Sequence, residues 1–134
     1  MRALGLDVGS RRIGVALSDE LGITAQPLSV IDAKGDVVAK IAGLCKEHEV
    51  DTIVLGLPLS MSGGDRGSSS LRVKELAKLL KARVEAKIVL QDERFSTAEA
   101  QRVLLLGDVR RDKRRAVVDK VAAALILQGY LDAH

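Results

Sequence analysis

Hydrophobic and polar positions alternate from the start of the chain. Leu4, Leu6 and Val8 interleave with Ala3, Gly5 and Asp7, and after Gly9-Ser10-Arg11-Arg12 the residues Ile13, Val15 and Leu17 interleave with Gly14, Ala16 and Ser18. Two runs of period two around a short turn-forming stretch predict a β-hairpin within residues 1–19. Its two faces differ in kind. One carries large aliphatic side chains, the other small residues and a single carboxylate, Asp7. Strand interiors disfavour Asp, and a charge beside a core is costly unless it is paired or holds a cation.

The pattern then changes several times. Ile23 to Ile31, with Pro27 inside it, predicts a third antiparallel strand at an edge of the sheet, where a residue without an N–H is tolerated. Asp36 precedes Val37, Val38, Ile41, Leu44 and Cys45, which share one face at helical spacing and predict a helix to about His48. Thr52 to Leu57 is continuously apolar, as in a central parallel strand buried on both faces. Pro58 stops it. The Gly- and Ser-rich stretch 58–70 reads as a mobile surface loop, which could form a flap beside a substrate or serve no such role. Val73, Leu76, Ala77, Leu80 and Val84 predict a second helix from Ser70, and Lys87 to Leu90 a fifth strand. Ser96 and Glu99 form a capping box for a third helix ending near Gly107. Residues 108–115 read as a charged turn, and 112–131 as a last helix. The expected order, β-β-β-α-β-α-β-α-α, makes an α/β fold: a mixed five-stranded sheet with helices on both faces.

Composition narrows the function classes. The 134 residues suit one domain, residues 1–134, and 47% hydrophobic content allows a core. Phe95 and Tyr130 are the only aromatic residues, so recognition by base stacking has little to work with. A net charge of +3 permits a nucleic-acid partner without requiring one. Cys45 is the single cysteine and falls on the inward face of a helix, which excludes a cysteine cluster and reads as a core thiol. No run is long enough to span a bilayer, and no signal peptide is visible, so the expected location is cytoplasmic, away from any membrane.

Three acidic positions stand out. Asp7 lies on the small face of the hairpin. The pair Asp92-Glu93 follows the fifth strand, at the edge where open α/β sheets place ligands. Asp119 borders the apolar stripe of the last helix, one turn before Ala122 and Ala123. Converging carboxylates repel one another, so a cluster of Asp7, Glu93 and Asp119 implies a cation, and hard oxygen ligands select Mg²⁺ or Mn²⁺. Two such ions can hold the attacking water and the leaving oxygen of a phosphodiester in line. The simpler alternatives are ion pairs: Asp7 with Arg11 or Arg12, Asp119 with Arg115, and a solvated strand end at Asp92-Glu93-Arg94. Arg110, Arg111, Lys113, Arg114 and Arg115 form a basic cluster, read either as a solvated surface or as phosphate contacts. Arg11, Arg12 and Arg94 adjoin the acidic positions and share both readings.

The segments Gly5-Leu-Asp-Val-Gly9, Arg12-Ile-Gly-Val-Ala-Leu-Ser-Asp19, Gly56-Leu-Pro-Leu59, Asp92-Glu-Arg94 with Ser96-Thr97, and Val118-Asp-Lys-Val-Ala-Ala123 occur in that order. As a set they closely resemble the YqgF/RuvX family of Holliday junction resolvases, over essentially the whole chain. The resemblance implies a ribonuclease H-like fold and a metal-dependent endonuclease acting on structured nucleic acid. It implies either maturation of the 5′ end of the small-subunit ribosomal RNA precursor or resolution of four-way DNA junctions, by a monomer or a homodimer. It also implies that Asp7, Glu93 and Asp119 are the acidic site. The chain departs from the family at Ser60 and Ser62, where Asn and Asp are usual. Phe95 stands in place of a Leu, and Arg115 in place of a lysine.

Two other functions fit parts of the sequence. A sugar-kinase or actin-like (ASKHA-like) nucleotide-binding lobe shares the Asp-x-Gly hairpin, but such proteins close two lobes around a nucleotide and this length supplies one. A non-catalytic nucleic-acid-binding module would keep the fold without turnover.

Overall fold

The computed structural model describes residues 2–57, 66–92 and 111–133, and at 66–69, 92 and 111–119 it describes the backbone only. The elements are β1 (Arg2–Val8), β2 (Arg12–Ser18), β3 (Ala25–Asp32), α1 (Val37–Glu47), β4 (Val50–Leu57), α2 (Arg66–Arg83), β5 (Lys87–Asp92) and α3 (Arg111–Ala133). The expected helix over 96–106 and its cap at Gly107 lie outside the described residues, as do most of the Gly/Ser stretch and the start of the charged turn.

Among the described residues the sheet has five strands in the order β3-β2-β1-β4-β5. β1 pairs antiparallel with β2 and parallel with β4, so the sheet changes sense at β1. Val50 to Leu57 occupies the interior position that its unbroken apolar run predicts. Ile53, Val54 and Leu55 are all fully buried.

The two faces of the hairpin take different cores. Leu4, Leu6, Ile13 and Val15 join Ile41 of α1 and Val73 and Leu80 of α2. Ala3 and Ala16 on the opposite face meet Ala123, Ile126 and Leu127 of α3. The small residues therefore admit a helix. At Gly5 an added Cβ would stand 2.7 Å from Leu127 Cβ and 2.9 Å from the Ala123 carbonyl oxygen, closer than any side chain allows.

Two boundaries differ from the sequence reading. β3 begins at Ala25, not Ile23, because Asp19 accepts hydrogen bonds from the backbone N–H of Ile23 and Thr24 (2.7 and 3.0 Å) and holds both residues in the turn. α2 begins at Arg66, inside the stretch assigned to a loop. Serine favours turns and helix starts alike, so composition alone does not separate them. α3 begins at Arg111, within one residue of the expected start, and Arg and Lys are good helix formers.

Candidate active site

The local chemistry of the first hairpin fixes where Asp7 can act. Gly9 donates its N–H to the Arg12 carbonyl at 3.0 Å, and a Cβ at Gly9 would stand 2.6 Å from that oxygen. The turn thus closes immediately after β1, and Asp7 and Val8 end the strand. Asp7 is half-buried and shares its face of the sheet with Ala3 and Gly5, the face that α3 covers.

The residues directly beside it in the sheet are glycines. Asp7 pairs directly with Gly14 across the β1–β2 ladder. On the other side Leu6 pairs with Leu55, so one step further along the same parallel register brings Gly56 beside Asp7. A carboxylate flanked by two glycines has room that neighbouring Val or Leu side chains would take. β5 ends at the same edge, where Leu57 pairs with Asp92. The chain leaves the sheet there into Glu93, which lies outside the described residues.

The course of α3 follows from two contacts. Ala123 and Leu127 sit over Gly5. Gln128 reaches the far end of the hairpin: its Oε1 accepts from the Ala25 N–H and its Nε2 donates to the Ile23 carbonyl, both at 2.9 Å. That end is the N-terminal end of β1, because Ala25 pairs with Ser18, and the Ser18 hydroxyl accepts the Ala3 N–H at 2.8 Å. Moving backwards from Gln128 through Ala123, α3 therefore heads towards the C-terminal end of β1. Asp119 is one turn before Ala123, on the Asp7 side of the Gly5 contact. The backbones of β1, β5 and α3 thus bring two of the three acidic segments to one edge and lead the chain out of β5 into the third.

Of the basic residues, Arg11 is exposed at the hairpin tip, and its carbonyl accepts the Ala33 N–H at 3.0 Å. Arg12 is half-buried and lies in β2 two residues before Gly14, on the same face as Asp7. Arg111, Lys113, Arg114 and Arg115 lie in the first turns of α3, of which the backbone is described. Arg94 and Arg110 lie outside the described residues. No helix among the described residues is long and apolar enough to cross a membrane.

The described residues contain no cluster of three or more metal-binding side chains, and this leaves Glu93 and the Asp119 side chain aside. A second concavity, about 640 Å³, opens on the opposite face of the sheet, between the hairpin turn, the start of α1 and α2, and is lined by Val8, Ile13, Val37, Leu71, Leu76 and Leu79. Asp36, Arg72 and Glu75 also line it, and it does not face Asp7.

Two structural residues carried little signal in the sequence. Ser18 is the buried polar residue among those described, and it joins β2 to the start of β1. Gln128 ties α3 to the β2–β3 turn. A lone amide directly after the apolar run Val121 to Leu127 was the one available clue.

Comparison with known proteins gives the family and the fold. The family model described as RuvX, Holliday junction resolvase, matches residues 1–133. A protein of Clostridium botulinum that carries the name pre-16S rRNA nuclease is 47% identical over 135 residues, covering 99% of this chain and 98% of that one. One of Bacillus licheniformis with the same name is 48% identical over 139 residues, with coverage of 99% and 98%. Among solved structures, Thermus thermophilus RuvC in complex with a Holliday junction substrate superposes with a TM-score of 0.62 at 13% identity, covering 99% of this chain and 94% of that one. The fowlpox virus resolvase with Holliday junction DNA superposes at 0.59 and 12% identity, covering 99% and 98%. At such identities these two show the shared ribonuclease H-like fold.

Proposed function

The chain belongs to the RuvX family of Holliday junction resolvases, and is thus a nuclease that hydrolyses phosphodiester bonds; from that premise we propose that it cleaves structured RNA at a divalent-metal site formed by Asp7, Glu93 and Asp119. The observation that carries this reading is the position of Asp7. It is half-buried at the C-terminal end of β1, opposite Gly14, on the face where α3 runs back towards it.

The donor set suits Mg²⁺ or Mn²⁺: carboxylate oxygens, with no cysteine and no histidine in these segments. When bound, a pair of such ions lowers the pKa of a bound water and neutralises charge on the leaving oxygen. The chain's own residues do the remainder. Asp7, fixed by the sheet on both sides, gives one rigid anchor, and Asp119 approaches from α3. Glu93 follows the last residue of β5. Arg11 and Arg12 at the hairpin edge, Arg94 beside Glu93, and the Arg110 to Arg115 cluster contact phosphates on either side of the scissile bond. They position the strand without reading its sequence.

The substrate we propose is the 5′ region of the small-subunit ribosomal RNA precursor, in keeping with the names of relatives 47–48% identical over nearly the full chain. Branched DNA is the alternative favoured by the family description. Symmetric cutting of a four-way junction calls for a homodimer, whereas trimming an RNA end is open to a monomer. The deciding experiment incubates wild type and Asp7→Asn with precursor ribosomal RNA and with a four-way junction, each in Mg²⁺ and in Mn²⁺. Wild type should cut the RNA at a defined position and Asp7→Asn should lose that activity by at least ~10²-fold, more than removal of an outer-shell partner costs. Full activity in Asp7→Asn would overturn the assignment of the site.

A further inference from the structure

Gly5 lies in close contact with α3. An added Cβ at Gly5 would meet Leu127 Cβ at 2.7 Å and the Ala123 backbone oxygen at 2.9 Å. Neither atom is the end of a flexible side chain. Both are fixed to the helix, so relief requires α3 itself to move. Ordinary contact between carbon atoms is about 3.5–4.0 Å, so α3 would lift by roughly 1 Å at this point.

The position of that contact gives it a consequence for chemistry. Gly5 is two residues before Asp7 on the same strand and face. Ala123 is one turn after Asp119 on the helix. The contact therefore joins the two elements carrying Asp7 and Asp119 within about one turn of each carboxylate-bearing residue. A second contact fixes the helix along its length. Gln128 is held by the Ala25 N–H and the Ile23 carbonyl, two backbone groups of one turn, which prevents α3 from sliding along the sheet. Height and axial position are thus set separately, by residues that carry no charge.

We propose that Gly5 is a positioning residue of the nuclease site. By lacking a Cβ it seats α3 at the height that lets carboxylates on β1 and α3 share one set of metal ions, with Gln128 fixing the axial register. This rests on the function proposed above. A catalytic constellation tolerates about 0.5 Å of displacement, and a misplacement of about 1 Å costs on the order of 10²-fold in rate. A lift of roughly 1 Å at Gly5 exceeds that tolerance. Loss of the Gln128 tether is partly compensated by the apolar contacts of α3 and should cost less, about 10-fold.

The test measures Mn²⁺ binding directly, by the loss of the free-ion paramagnetic resonance signal, alongside cleavage of precursor ribosomal RNA. It compares wild type, Gly5→Ala, Gln128→Ala and Asp7→Asn, each at a temperature where circular dichroism shows it folded. Gly5→Ala is expected to weaken Mn²⁺ binding and to reduce cleavage by about 10²-fold while its folded spectrum is unchanged. A merely structural glycine would lower the melting temperature and leave Mn²⁺ affinity alone. Should Gly5→Ala not fold, Gln128→Ala carries the test, with the smaller loss in the same two readouts. Folded variants that bind Mn²⁺ and cleave as wild type does would overturn this inference, and with Asp7→Asn inactive and metal-free the function itself would stand. Mn²⁺ binding unchanged in Asp7→Asn would instead overturn the metal site, and this inference with it.

Discussion

Asp7 and Gly14 stand directly opposite each other in the β1–β2 ladder. The residue directly opposite the carboxylate therefore contributes no side chain. Residues paired in this way have Cβ atoms about 4.5–5.5 Å apart, so a branched side chain at position 14 would occupy the volume next to the carboxylate. Gly14→Val is expected to leave the sheet formed, since Val favours strands, and to reduce metal-dependent cleavage by about 10-fold or more. Single-turnover cleavage at rising Mg²⁺ concentration checks this. Activity equal to wild type would show that the open neighbour serves packing alone.

The start of α1 gives a pH prediction. The Asp36 carboxylate accepts the Ala39 N–H at 3.0 Å and lies 3.3 Å from the Arg83 guanidinium. The Ala39 N–H, helped by Arg83, holds its carboxyl below the ordinary value of 3.8. A carboxyl whose pKa is lower in the folded state stabilises fully above its unfolded value and ceases to do so as pH falls through the folded one. Asp36→Asn keeps a good helix cap and removes the charge. Its melting temperature should fall below wild type at neutral pH, and the gap should close on acidification below 3.8. A gap independent of pH would assign the difference to packing.

Arg11 tests the nucleic-acid edge without touching the core. It is exposed at the tip of the hairpin. Arg11→Ala should weaken RNA binding about equally for different sequences and reduce the slope of log affinity against log salt by about 1, as for one lost phosphate contact. Filter binding across a salt series measures both. An unchanged slope would remove Arg11 from the interface.

Cys45 supplies a probe of the main core. It packs with Ile41 and the hairpin, and burial pushes its thiol up to about 11. A thiol in that state is almost wholly protonated at pH 8 and shielded from reagent. It should react with an aromatic disulfide only after unfolding in guanidinium. Rapid reaction of the native protein would mean that α1 opens readily.

Much of the architecture could be read from residue patterns, for identifiable reasons. The alternation in residues 3–18 and the unbroken run at 52–57 each match a single strand environment, and the sheet places β1 and β5 on either side of β4. The inward faces of α1 and α2 followed from Val38, Ile41, Val73 and Leu80. Asp7 was legible because one charge interrupts an otherwise small-residue face. What escaped were features set by distant partners. The small face was compatible with a nucleic-acid backbone or a helix, and only packing shows that α3 takes it. Gln128 bonds backbone groups more than a hundred positions earlier, which no local pattern encodes. Asp19 belonged by pattern to the hairpin, yet its role is to hold the next turn. The start of α2 fell in a stretch whose composition suits a turn and a helix equally.

The tether from Gln128 to the β2–β3 turn also orders events during synthesis. The face of the sheet that receives α1 and α2 has all its described partners once β5 has emerged from the ribosome. The other face, with Ala3, Gly5, Asp7 and Ala16, receives its described helix only when the chain has reached Leu127 and Gln128. A nascent chain therefore displays a nearly finished core beside an uncovered hairpin, and contacts of such long sequence separation close slowly. Of the described elements α3 is made last, so the face that carries Asp7 is the last to receive its described helix.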